Sequence, residues 1–190
     1  LRPPSREELI AANSAMIYVG IDDTDTEDTR GTNQLAKLIV RSLAPNYHCV
    51  WIARHQLLFD RRIPYTSKNG SASIVLEGPA NENIESLADR IEAIMRSDFI
   101  EGSDPGLCVA TGPIPALIDY GHRCQREIVP QTDARAFAKE HNILLRGLGG
   151  TEDGVIGSLA AVGLAMHGND GRIVQLGQSA DDLSGRQSVE

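Results

Sequence analysis

Positive charge is in short supply: 18 Lys and Arg stand against 26 Asp and Glu, giving a formal net charge of −8. A broad nucleic-acid-binding face needs clustered cations against phosphates, so that class is disfavoured and only a local basic site stays open. Cysteine is sparse too. Cys49, Cys108 and Cys124 form no C-x-x-C pair, so neither a zinc ribbon nor a redox couple is indicated. An odd count without a framework suits a reducing cytoplasm. No run reaches the ~20 apolar residues of a membrane span; the best, residues 155–166, is short and holds Gly and Ser. No membrane association and no signal peptide are expected. Aromatics supply only 4% of the chain, so the core must be aliphatic, and an apolar fraction of 41% can supply one. The P-loop pattern G-x-x-x-x-G-K-[ST] and the hydrolase elbow G-x-S-x-G are both missing. His122 and Cys124 are two potential ligands, too few for a metal site.

What is present alternates between strand and helix patterns. Strands are predicted at 17–21, 48–58, 71–77, 107–111 and 172–176. Helices are predicted at 32–44, 83–96, 116–125, 133–140 (capped by Thr132) and 155–166. The pattern points to an α/β fold, with α+β as the alternative: one layered domain with a mixed sheet and flanking helices. Residues 1–15 read as a leader, a tag or a short helix, residues 16–177 as the domain, and residues 178–190 as a flexible tail.

The chemistry gathers behind the first strand. Asp22, Asp23, Asp25, Glu27 and Asp28 follow it directly. Ligands of α/β folds collect at the carboxyl ends of strands, and clustered carboxylates there repel one another unless a hard cation compensates. Mg²⁺ favours one or two carboxylates plus substrate phosphates; a solvated acidic loop is the alternative. A calcium loop from Asp23 would need Gly at 28 and Glu at 34, where Asp28 and Gln34 stand. An aspartyl-phosphate hydrolase pattern matches Asp23 and Asp25 but meets Glu27 where Thr belongs.

Gly31–Thr32 opens the next helix, whose unpaired N–H groups suit a phosphate; Thr32 can equally be a simple cap. Lys68 beside Asn69–Gly70 could hold triphosphate oxygens, or the pair could merely turn the chain. The glycine-rich stretch 147–154 leads into the apolar helix but lacks the dinucleotide fingerprint, since Glu152 stands at its third glycine.

These segments resemble a known family. Gly20–Ile21–Asp22–Asp23–Thr24–Asp25–Thr26, with Gly31–Thr32 and Leu35–Ala36 behind it, is similar to the start of the kinase domain of the archaeal isoleucine-tRNA agmatinylcytidine synthetases. Ile63–Pro64–Tyr65, Asp104–Pro105–Gly106 and the run from Gly154 to Gly163 follow in the family's order. The resemblance implies that Asp22, Asp23 and Asp25 hold Mg²⁺ beside ATP. It places the family's phosphorylated threonine on Thr32, a basic phosphate-turn residue on Lys68, and the glycine approach to the last helix near Gly154. Where the family has Met-Cys-Thr-Thr this chain has Arg30–Gly31–Thr32–Asn33, and its Arg-Gly-Asn-Gly turn is Lys68–Asn69–Gly70–Ser71. The family's oligonucleotide-binding and zinc-ribbon parts have no counterpart among these residues, so tRNA is not expected as a partner of this chain alone.

The expectation is a Mg²⁺-dependent ATP-binding domain that transfers a phosphoryl or nucleotidyl group to an unknown acceptor. Asp22, Asp23, Asp25 and Thr32 are its catalytic candidates. Gly31, Lys68, Asn69, Gly70 and Gly154 are its nucleotide-binding candidates. The alternatives are a non-catalytic nucleotide-binding module and an aspartate-based phosphohydrolase. Homo-oligomerisation is left open.

Overall fold

Strand β1, Ser14–Asp22, buries Ile17, Val19 and Ile21 completely, and this alternation fixes which face of the sheet each residue serves. In this computed structural model the described residues are 14–24, 31–63 and 69–177. Most of the leader and all of the tail expected from the sequence lie outside them. Ser14 and Ala15 already pair with Pro79 and Gly78, so the strand begins before Met16.

The remaining strands are β2 (His48–Gln56), β3 (Gly70–Pro79), β4 (Gly106–Thr111), β5 (Leu144–Gly147) and β6 (Arg172–Leu176). They form one sheet in the order β5-β4-β1-β3-β2-β6. All of its ladders are antiparallel, so the expectation of a mixed sheet is corrected while the layered α/β architecture holds. The antiparallel result follows from β3, which returns from β2 and fills the slot beside β1.

Helices α1 (Thr32–Leu43) and α2 (Ile84–Ser97) pack on one face. There Leu35, Ile39, Leu87 and Ile91 meet Ile17, Val19, Ile74 and Leu107. Helices α3 (Pro115–Cys124), α4 (Gln131–Glu140) and α5 (Gly154–His167) cover the other, where Leu117, Ala134 and Leu159 surround Cys108 and Ala110. The start of α4 corrects a second expectation. Pro130 precedes it, no side chain caps it, and Thr132 lies inside the first turn. Asn83 does cap α2, accepting from the Ser86 N–H.

Helix α5 is apolar all round and buried along almost its whole length, as a helix wedged between a sheet and other helices must be. Small residues bring its backbone onto the sheet. A Cβ on Gly20 would stand 1.9 Å from the Ser158 carbonyl oxygen, and one on Gly106 would stand 2.1 Å from the Gly154 carbonyl. At the sheet's far edge Arg146 reaches from β5 to Glu85, Asp89 and Glu92 of α2. Among the described residues no helix is long and apolar enough to cross a membrane.

Candidate functional site

Asp22 is the last residue of β1, and its carboxylate lies over the first turn of α5. A Cβ on Gly157 would stand 1.7 Å from Asp22 Oδ2, so glycine there leaves the carboxylate its room. The partial positive charge at the start of α5 favours an anion in that place. Asp23 follows at φ 50°, a left-handed conformation that Asp adopts more readily than most residues. The chain thus leaves the sheet sharply at the second carboxylate. Thr24 is buried, and its hydroxyl donates to Thr32 Oγ1 at 3.1 Å.

Helix α1 begins behind this turn. Gly31 is its N-cap, with φ −72° and ψ 159°, and no side chain caps the helix. The cap reading of Thr32 is therefore corrected: Gly31 is the N-cap, Thr32 is the first helical residue, and its hydroxyl accepts from Thr24.

Asp22, Asp23, Gly31, Thr32, Asn69, Gly70 and Gly154 all line one cavity of about 910 Å³. Asp25 and Lys68 lie outside the described residues. The cavity wraps the end of the sheet where β1 finishes, β3 begins, and α1 and α5 present their N-termini. Asn69 also serves the turn: its side-chain amide donates to the Leu58 carbonyl at 2.8 Å, and its carbonyl accepts from the Leu57 N–H at 2.9 Å.

The glycine-rich turn before α5 is held by a residue that sequence reasoning placed only within a motif. Asp104 Oδ1 accepts from the Thr151 N–H at 2.6 Å, and its carbonyl accepts from the Gly154 N–H at 3.1 Å. A Cβ on Gly150, at φ 59°, would stand 1.5 Å from Asp104 Oδ1. Gln131 of α4 donates to the Thr151 carbonyl at 2.8 Å, and Arg135 pairs with Glu152. The turn is thereby fixed from two sides.

Arg54 and Ser71 also line the cavity and were not named as candidates from the sequence, because register brings them there rather than any local pattern; Gly157, seen only within the run from Gly154 to Gly163, lines it too. Cys124 lines it as well. Burial pushes its thiol up to about 12, so it stands as a neutral thiol and not as a nucleophile.

Among the described residues no group of three or more His, Cys, Asp or Glu gathers to hold a metal by itself. The donors at the mouth of β1 are two carboxylates with hydroxyls nearby, all oxygen. That set fits a hard cation completing its shell with phosphate oxygens and water, and does not fit a closed protein cage for zinc.

No protein-family model matches the chain. In sequence it is 26% identical over 159 residues to the isoleucine-tRNA 2-agmatinylcytidine synthetase TiaS of Pyrococcus horikoshii, covering 80% of this chain and 36% of that one. To the same enzyme of Thermococcus sibiricus it is 25% identical over 153 residues, covering 77% and 35%. The chain thus spans about a third of the length of the curated relatives it matches. Its fold matches the crystal structure of TiaS in complex with its isoleucine tRNA and ATP with a TM-score of 0.69 at 22% identity, over 78% of this chain and 36% of that one. For the TiaS complex with the same tRNA, AMPCPP and agmatine the TM-score is 0.67 at 21% identity, over 78% and 36%. The resemblance read from the strand-end aspartates holds: the chain is similar to one part of these synthetases.

Proposed function

We propose that the cavity at the end of β1 binds ATP with Mg²⁺ and transfers a phosphoryl or nucleotidyl group from it to an acceptor. One observation carries this reading: two carboxylates and the N-termini of two helices converge on a single cavity of about 910 Å³, within the usual size of small-ligand sites. Solved relatives bound to ATP and to AMPCPP support the choice of nucleotide.

Asp22 and Asp23 are the residues that would hold the cation, which when bound neutralises charge on the phosphates. Backbone N–H groups at Gly31–Thr32 meet phosphate oxygens, while the start of α5, whose Gly154, Val155 and Ile156 N–H groups already donate to the Asp104, Glu152 and Asp153 carbonyls, contributes its partial positive charge. That helix end is set in place before the ligand arrives, because Asp104 and Gln131 fix the turn into α5. Reactions of this class proceed largely by positioning and charge stabilisation, which is what such a site offers. Thr32, at the α1 end of the cavity, is the side chain that would take a phosphoryl group transiently. Thr24, donating to it, fixes the direction of its lone pairs.

Calorimetric titration of ATP into the chain, with and without Mg²⁺, tests the reading. Metal-dependent binding is expected, weakened at least tenfold, about 1.4 kcal/mol, in Asp23→Ala. Absence of ATP binding under every metal condition sinks the nucleotide reading, and binding without turnover toward any acceptor leaves a nucleotide-binding module.

A further inference from the structure

We propose that Ser71 and Arg54 form a polyphosphate subsite of this cavity, reaching it from opposite faces of the sheet. The inference deepens the nucleotide reading and rests on it.

Ser71 is 1% exposed and lines the cavity, yet its hydroxyl has no hydrogen-bond partner among the described residues. A buried hydroxyl left unpaired is a cost to the fold that a ligand oxygen removes. The register says which way it points. Gly20 pairs with Ser73, and Gly20 faces α5. Ser71, two residues from Ser73, shares that face. It therefore stands on the α5 side, next along the ladder from the Ile21–Ala72 pair and beside Asp22.

Arg54 stands on the other face. It pairs with Ala72, which packs with the α1 and α2 residues. Its guanidinium lies over Gly70, where a Cβ would meet Nε and Nη2 at 3.1 Å each, so glycine leaves it room to lie flat at the strand end. Among the described residues no carboxylate pairs with Arg54. The other described cation lining the cavity, Arg62, is paired with Asp60 at 2.8 Å. Arg54 is thus a half-buried charge in a cavity otherwise rich in carboxylates, with five planar donors suited to phosphate oxygens.

The two donors flank one strand end, Gly70–Ser71, and the cavity passes around it. A single small anion would meet one of them. A chain of phosphates passing from the Asp22 side toward the α1 N-terminus would meet both, which selects a nucleoside triphosphate over a monophosphate.

The test measures ATP and AMP affinity by calorimetry, with Mg²⁺, for the wild type, Ser71→Ala and Arg54→Gln, alongside thermal melts. The Ser71→Ala variant loses only an unpaired hydroxyl, so its Tm is expected to be unchanged or raised while its ATP affinity falls about tenfold. Arg54→Gln is expected to reduce ATP affinity further, with AMP affinity nearly unchanged in both. Equal ATP-to-AMP preference in wild type and Ser71→Ala overturns the proposal, and this arm decides even if Arg54→Gln fails to fold. Should the wild type bind no ATP, inorganic tripolyphosphate is the probe. Thermal stabilisation by it that vanishes in Ser71→Ala keeps the subsite although the nucleotide reading has failed. No stabilisation of the wild type overturns both.

Discussion

His55 lies wholly buried between a hydroxyl and a carboxylate, with Nε2 2.8 Å from Ser73 Oγ and Nδ1 2.8 Å from Asp170 Oδ1. A neutral ring satisfies both: Nδ1–H donates to Asp170, and Nε2 accepts from the Ser73 hydroxyl. Burial holds the imidazole below its ordinary value of 6.5, against the opposing pull of Asp170. Asp170, although desolvation pushes it up, is held below the ordinary carboxylate range by hydrogen bonds from His55 and Gln125. The sign follows. Below 6.5 the unfolded chain takes up a proton at this histidine while the folded chain does not. Stability therefore falls as pH drops through that value, and the slope flattens below the folded value. Asp170 adds a further loss at lower pH, as its folded carboxylate is protonated in turn. Melting curves between about pH 7.5 and about pH 5.5 should show a declining Tm in the wild type and a flatter dependence in His55→Gln. Equal slopes would remove the buried ring from the account. Nothing in the sequence marked His55, since its partners lie 18 and 115 residues away. Asp22 and Asp23 were legible because a carboxylate cluster directly behind an apolar strand is a local signal. Thr32 was half legible: its place at the start of α1 could be read, but its engagement by Thr24 could not.

Elements were legible in proportion to their length and periodicity. The amphipathic α1 and α2 stand where their apolar spacing put them, and α5 was visible as an apolar run with small residues. Strand β5 was missed. Its four residues are all only partly buried, so no alternation marks it, and it joins the sheet edge through its ladder with β4. The pairing sense was not legible either, because alternating strands and helices suit parallel and antiparallel order until the partner of β1 is known. The small residues of α5 lie where backbones meet. A Cβ on Gly163 would stand 2.0 Å from the Leu117 carbonyl oxygen of α3, and backbone there cannot yield as a side-chain tip can. Gly163→Ala should therefore force α3 and α5 apart and cost about 1–3 kcal/mol, seen as a Tm lower by several degrees. Gly163 does not line the cavity, so the folded variant should bind ATP as the wild type does. A variant as stable as the wild type would mean that the α3–α5 contact is looser than its geometry requires.

At the scale of the whole molecule, the net charge of −8 disfavours a polyanion, and part of the positive charge is already engaged. Arg62, Arg90, Arg96, Arg123, Arg135 and Arg146 each already face a carboxylate. A paired guanidinium must give up its carboxylate before it can neutralise a nucleic-acid phosphate, and the released carboxylate then repels the same backbone. Exposed pairs of this kind add little to stability, but they do subtract from the charge available to a polyanion. Arg54, which has no such pair among the described residues, lines the cavity rather than forming part of a surface stripe. On the proposed function, anion recognition belongs to the cavity at the end of β1 rather than to a surface stripe. Fluorescence anisotropy with labelled tRNA should accordingly show only weak association of these 190 residues at low salt, lost at about 0.15 M as screening and counterion release take effect. Saturable submicromolar binding at that salt would mean that the arginine pairs open to make a nucleic-acid face. Under the same salt, ATP should still bind, because a desolvated triphosphate held by helix N-termini and a cation is screened far less than a surface contact.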